Sequence, residues 1–309
     1  MFKNVVKLSV AISFVFAQWT SDSTQNTLIE SALQSQLSPF VQVASDGSTY
    51  IAWGDRRNTP NFDYRIKRLD FSGNVFESYT LSNQHSSSAA GNLEALESDT
   101  EHGVFVLWEQ ITNNRDELRL QHVNSTLDAN GTVFDNSGLV VSGFECDRKN
   151  GSLAVIDRDN AIVSFTTSSC AGSNATDYGN AYVQKINSGT KDWGGNGILA
   201  APRNTNGNNV LDTKAIPGPQ GGAFILFSQN TTSDNSLRIN FVDAQGNFTE
   251  GLSYPSGIGL GNLYNKNNWE MDAAFDGMVG VYVVWRNSSN KMVLQHINLI
   301  NNSLVLTHV

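Results

Sequence analysis

Six carboxylates fall inside short, strand-like stretches of this 309-residue chain: Glu94, Glu97, Asp147, Asp212, Glu270 and Asp272. Two carboxylates facing a common opening are what cleavage of a glycosidic bond requires. One protonates the leaving oxygen, and the other activates water or attacks directly. The loops suggest a different chemistry. There Tyr178, Tyr264 and Trp269 stand among Asn, Ser, Thr and Gly, with Arg56, Arg203 and Arg286 nearby. Planar amides and hydroxyls beside aromatic rings suit neutral polyhydroxylated ligands, whose C–H faces pack on a ring while their hydroxyls bond polar groups. Trp269, in the Asn-rich stretch Asn265–Glu270, is either a sugar platform or a plug packed on the core. Asp55 and Arg56 follow Trp53, and an Arg–carboxylate fork there suits tying a loop to its neighbour. The candidate ligand set is Trp269, Tyr264, Arg286, Arg56, Asp55 and Tyr178.

The carboxylates do not recur in register, and the corresponding stretch Ser38–Val43 supplies none. The histidines are scattered. His122 and His296 hold equivalent places before an apolar residue and Asn, which marks them as parts of a repeat. No His-x-Glu spacing and no Gly-rich phosphate cradle is present. Asp-rich turns leave room for a structural calcium, although no full ligand loop is written. No catalytic residue, metal ligand or cofactor is therefore assigned. The expectation is a non-catalytic binding protein that recognises a glycan or glycoprotein. A divergent glycoside hydrolase using Glu94, Asp212 and Glu270 is the alternative. An extracellular scaffold for protein partners is the second.

The elements that must position these residues recur five times. An alternating apolar run ends in an aromatic (Trp53, Trp108, Phe165, Phe227, Trp285), and a second run ends in Asp or Asn (Asp70, Asn124, Asn187, Asp243, Asn298). A fixed period of this size in strand-like sequence means radial repetition of a small sheet. The expected fold is all-β, a five-bladed propeller of four-stranded antiparallel blades over residues 36–309. Within each copy the strands are A, B (ending in the aromatic), C (ending in Asx) and D. Strand D of the fourth copy is placed at Phe248–Tyr254. The A–B turns are short and rich in Asp and Gly. The B–C loops, such as 109–117 and 228–236, and the D–A crossings, such as 256–270, are long and polar. They gather on one face, where binding sites on rigid scaffolds usually lie.

This pattern resembles the repeat of secreted sialidase-like propeller proteins. In that repeat a strand ending in Trp leads to an Asp/Arg pair, then an Arg-x-Asp strand end and a Trp-x-x-x-Gly strand. Trp53-Gly-Asp55-Arg56-Arg57, Arg68-Leu-Asp70 and Trp193-Gly-Gly-Asn-Gly197 match pieces of it. The resemblance implies the fold and an extracellular setting. It does not extend to catalysis: the Ser-x-Asp-x-Gly-x-Thr-Trp box is absent, and the inner strands lack the arginine triad that grips an acidic sugar.

Residues 1–17 read as a secretory signal peptide, with Lys3 and Lys7 before the short apolar run Leu8–Phe16 and Ala17 at a small-residue cleavage site. A secreted, extracellular chain follows from that. Residues 18–35 are expected to be an extended segment, with Thr27–Leu33 adding a strand to the last blade. The formal charge of −9 disfavours nucleic acid and anionic membranes as partners, and a monomer is expected. Cys146 and Cys170 are the only cysteines and lie 12 residues either side of Arg158, at the open end of a hairpin. They are expected to form a disulfide worth roughly 3 kcal/mol on the chain-entropy account. Eight Asn-x-Ser/Thr sequons, Asn150 among them, permit N-glycosylation.

Overall fold

A computed structural model describes residues 28–33, 35–57, 63–76, 78–82, 92–112, 115–126, 137–170, 177–203, 209–230, 235–249, 257–264 and 271–307. The signal peptide 1–17, residues 18–27, Trp269 and Glu270 lie outside the described residues.

Five antiparallel sheets follow one another along the chain. The first is β1 (Gln36–Val43), β2 (Thr49–Asp55), β3 (Asp63–Leu69) and β4 (Tyr79–Ser82). The second is β5 (Leu93–Ser98), β6 (Val104–Thr112), β7 (Arg115–Val123) and β8 (Leu139–Val140). The third has β9 (Asp147–Val155), β10 (Asn160–Ser168) and β11 (Ala181–Asn187), and β11 also pairs with two short strands, β12 (Thr190–Lys191) and β13 (Ile198–Ala201). The fourth is β14 (Val210–Pro217), β15 (Ala223–Asn230), β16 (Asn235–Val242) and β17 (Ile258–Asn262). The fifth is β18 (Met271–Phe275), β19 (Gly280–Arg286), β20 (Met292–Ile300) and β21 (Ser303–Thr307). The first strands adjoin in succession, β1 to β5 to β9 to β14 to β18, and all five line one cavity. The arrangement is consistent with a five-bladed propeller.

The second strands of sheets flanked on both sides are apolar on both faces because they are packed from both sides. In β6, Val104, Val106 and Trp108 pack with the first sheet, while Phe105 and Leu107 pack with the third. The aromatic anchors Trp53, Trp108, Phe165, Phe227 and Trp285 are all buried. Apolar clusters join sheets one and two, two and three, three and four, and four and five. Among the described residues no such cluster joins sheet five to sheet one, where Val41, Val43, Tyr282 and Leu294 are exposed.

The Asx residues that end the third strands act as turn formers. Asp70 accepts the N–H groups of Ser72 and Asn74, and Asp243 those of Gln245 and Asn247. Cys146 and Cys170 form a disulfide just beyond the Asp147–Ser168 end of the β9–β10 pairing.

Three expectations need correction. The last strand of the fourth sheet is Ile258–Asn262, not Phe248–Tyr254. Phe248 makes only an isolated bridge to Val242, and the glycines of Ile258-Gly-Leu-Gly-Asn hid a strand in what read as a crossing. Much of the supposed loops 109–117 and 228–236 is strand, because β6 and β7 run on to Thr112 and from Arg115, and β15 and β16 run on to Asn230 and from Asn235. Finally, residues 28–33 form no strand on the fifth sheet. They lie on the first, where Glu30 pairs with Arg57 at 2.7 Å and with Lys67 at 3.6 Å.

Candidate functional site

The strands that face the centre are not regular. Each of the first four sheets carries an extra residue in its first strand, near the long-loop end. The register shifts between Leu37 and Phe40, between Leu93 and Ala95, between Lys149 and Ser152, and between Val210 and Asp212. A bulge bends its strand and re-aims the side chains beside it. The residues so displaced include Glu94 and the Asn150–Gly151 pair, with Asp212 directly after the fourth bulge. Of these, Glu94, Gly151 and Asp212 line the central cavity, about 580 Å³ in volume.

Glu94 accepts the Gly151 N–H at 3.1 Å through Oε2. Its burial, and then the charge of Glu109, push its carboxyl up to about 8 against that bond, with Asp212 adding to the rise. Asp212 is pushed up to about 6 by burial, opposed by the Thr213 N–H and Lys214. Glu109, buried within β6 next to Trp108, is raised to about 7 by burial and by Asp116, against Lys149 and the N–H groups of Asn150 and Asn92. Further along the cavity lie Glu97, also held above its ordinary value by burial, and an ion pair of Lys214 with Asp272. Lys214 is the one cationic side chain among the described residues lining the cavity. The cavity thus carries an acid that stays protonated at neutral pH and a base that does not, in one water-accessible space. Carboxyls pushed apart in this way can divide acid and base roles between them.

A smaller cavity of about 170 Å³ is lined by Asn150, Thr166, Tyr178, Asn209 and Leu211 among others, Asn150 and Leu211 being the chain neighbours of Gly151 and Asp212 in the central lining. Tyr178 lines this smaller cavity and not the central one, and Arg203 lies over its ring at 5.9 Å from the centroid. Tyr264 and Arg286 meet at the edge between the fourth and fifth sheets. The guanidinium sits 4.0 Å from the ring centroid, and the Tyr264 N–H donates to the Arg286 carbonyl at 3.0 Å. That ring is partly exposed, but one face is already covered. Asp55 is fully buried and accepts from Trp53 Nε1 at 3.2 Å and from Arg57 Nη2 at 2.7 Å. The fork beside Trp53 is therefore Asp55–Arg57, and the Arg56 N–H donates to the Ser35 carbonyl. Asp55, Arg56, Tyr264 and Arg286 do not line the central cavity.

Two residues beside the candidate site escaped the sequence. Glu109 was hidden in a stretch that read as loop. Asn150 was visible only as a sequon. The one available signal was its Asn-Gly pair, which marks a break in regular strand geometry. His122 and His296 are repeat features as the sequence suggested: each bonds the Asp of its own A–B turn, His122 to Asp99 at 2.8 Å and His296 to Asp276 at 3.0 Å.

No protein-family model matches the chain, and no curated protein matches it in sequence. Solved structures do. An ulvan lyase of polysaccharide lyase family 25, bound to -[GlcA(1-4)Rha3S]-, is 12% identical with a TM-score of 0.50, over 87% of this chain and 68% of that one. The alpha-L-arabinanase of Penicillium chrysogenum complexed with arabinobiose is 14% identical with a TM-score of 0.49, over 84% and 77%. The endo-arabinase of Bacteroides thetaiotaomicron is 12% identical with a TM-score of 0.42, over 88% and 93%. At these identities the likeness is one of fold.

Proposed function

We propose that the five sheets close into a five-bladed propeller and that this is a secreted carbohydrate-active protein, hydrolysing glycosidic bonds in its central cavity. The observation that carries the reading is the pair Glu94 and Asp212, in one cavity, with carboxyls raised to about 8 and about 6. Glu94 keeps its proton at neutral pH and gives it to the leaving glycosidic oxygen. Asp212, ionised above about 6, activates water or attacks the anomeric carbon. The inner-strand bulges beside Glu94 and Asp212 set both groups in the cavity lining. The fold shared with a polysaccharide lyase supports a carbohydrate ligand. The charge disfavours a substrate like that lyase's acidic repeat, since Glu94, Glu97 and Asp212 line the cavity with a single Lys214 that is already paired with Asp272. A neutral glycan, free or carried on a glycoprotein, fits better.

The non-catalytic reading keeps one observation in its favour, the small polar cavity at Tyr178. On the other side, Arg286 occupies the Tyr264 face that a sugar would stack on. Release of reducing ends from a panel of neutral polysaccharides, arabinan included, separates the two. Hydrolysis predicts cleavage that rises through about pH 6 and falls through about pH 8, and that Glu94→Gln reduces by about 100-fold or more. Binding without cleavage, unchanged in Glu94→Gln, would favour the non-catalytic protein.

A further inference from the structure

Asn150 is a non-glycine residue with φ of 53° inside a strand, a left-handed conformation that persists there only where the surroundings enforce it. What enforces it converges on the cavity. Its side-chain amide donates to the Leu211 carbonyl at 2.7 Å and to Thr166 Oγ1 at 3.1 Å. Its backbone N–H donates to the Glu109 carboxylate. The next N–H, of Gly151, donates to Glu94 at 3.1 Å. A Cβ on Gly151 would come within 2.8 Å of Leu107 Cδ2 and 2.9 Å of Leu118 Cδ2, so a side chain there would push both leucine ends aside. One left-handed corner therefore touches the second sheet through two carboxylates and the fourth sheet through the bulge residue before Asp212.

We propose that Asn150 is the positioning residue of the cavity, its left-handed corner holding Glu94 on the second sheet and Asp212 on the fourth at a fixed separation. The proposal rests on the reading of the cavity as the functional site, but it concerns geometry and is tested without a substrate. Other charged groups also face these carboxyls. Asp212 and Glu109 act on Glu94, Lys214 acts on Asp212, and Asp116 and Lys149 act on Glu109. Each is left in place by the variant chosen.

Asn150→Gly keeps the backbone conformation and removes only the amide ties to Leu211 and Thr166. Carboxyl-carbon NMR titration of the full chain should then show the midpoints of Glu94 and Asp212 both falling by about half a pH unit or more as the corner loosens and water enters. Midpoints unchanged from the native protein, at an unchanged melting temperature, would overturn the proposal. The native chain offers a second test that does not depend on how the variant folds. Asn150-Gly151-Ser152 is a sequon, yet its amide is engaged. When the chain is secreted from a glycosylating host, peptide mass spectrometry should find Asn150 unmodified. A glycan at Asn150 in folded protein would show that the amide is free and the corner not built as described. Failure to cleave any polysaccharide would count against the hydrolase reading and leave both of these results standing.

Discussion

Carboxylates sit at both ends of the inner strands, and the two ends treat them in opposite ways. At the short-turn end Asp46, Asp99 and Asp276 are also penalised by burial, yet their carboxyls fall below the ordinary range. Each has partners. Asp99 accepts the N–H groups of Glu101 and Gly103 and bonds His122. Asp276 accepts those of Met278 and Gly280 and bonds His296. Asp46 holds Ser48 and Arg68. At the long-loop end Glu94 and Asp212 have one backbone N–H each, and Lys214 only partly offsets the penalty at Asp212, so burial wins and both carboxyls rise. Where acids are fully partnered they build turns, and where they are left short of partners they become available for proton transfer.

The contrast can be broken first at the partnered end. Asp99→Ala leaves His122 and two N–H groups without their acceptor in a buried site. It should cost about 3 kcal/mol in denaturant unfolding, whereas Asp276→Ala, at a more open pair, should cost about 1 kcal/mol. Equal and negligible costs would mean that the turns do not depend on these acids.

Stability against pH sharpens it further, with opposite signs. The turn acids have lowered folded values, so their stabilisation is complete above the ordinary Asp range and is lost as pH falls through the folded values. Glu94 has a raised folded value. Its contribution is fully present below about 4.5 and is lost as pH rises toward about 8. Glu94→Gln should therefore remove an alkaline loss of about 1–2 kcal/mol, discounted for water in the cavity, and leave the acid limb untouched. Thermal melts of both proteins between pH 3 and pH 9 would show it, and parallel curves would count against the assignment.

The smallest effect belongs to the loop pair. Arg286→Ala uncovers Tyr264 and should change stability by less than about 0.5 kcal/mol and cleavage hardly at all. Loss of ligand binding in this variant would move the site from the cavity to the loops.

The partnered end was legible in the sequence because it repeats. Aromatic anchors and Asx turns recur at a fixed spacing, since each sheet solves the same packing and turn problem. Cys146 and Cys170 were legible through the hairpin they close. The cavity end was only partly so. Glu94 and Asp212 could be named as inner-strand carboxylates, but the bulges that aim them insert a residue and break the alternation by which strands are read. Asn150 disappeared for that reason, Glu109 because β6 runs on past Trp108 into a stretch rich in loop-forming residues, and glycines concealed β17. Asp55 was seen beside Arg56, while the fork formed with Arg57, because a two-residue separation in a bending strand end returns the side chain to the same side.

The account turns on the protonation of Glu94, and its titration in the native protein, followed by carboxyl-carbon NMR beside Asp212 and Asp99, tests that most directly. The predicted result is a midpoint near 8 for Glu94 and near 6 for Asp212, with Asp99 below its ordinary 3.8. A Glu94 midpoint near 4.5, with all three acids titrating together, would contradict the division of the molecule into a partnered end and a reactive one.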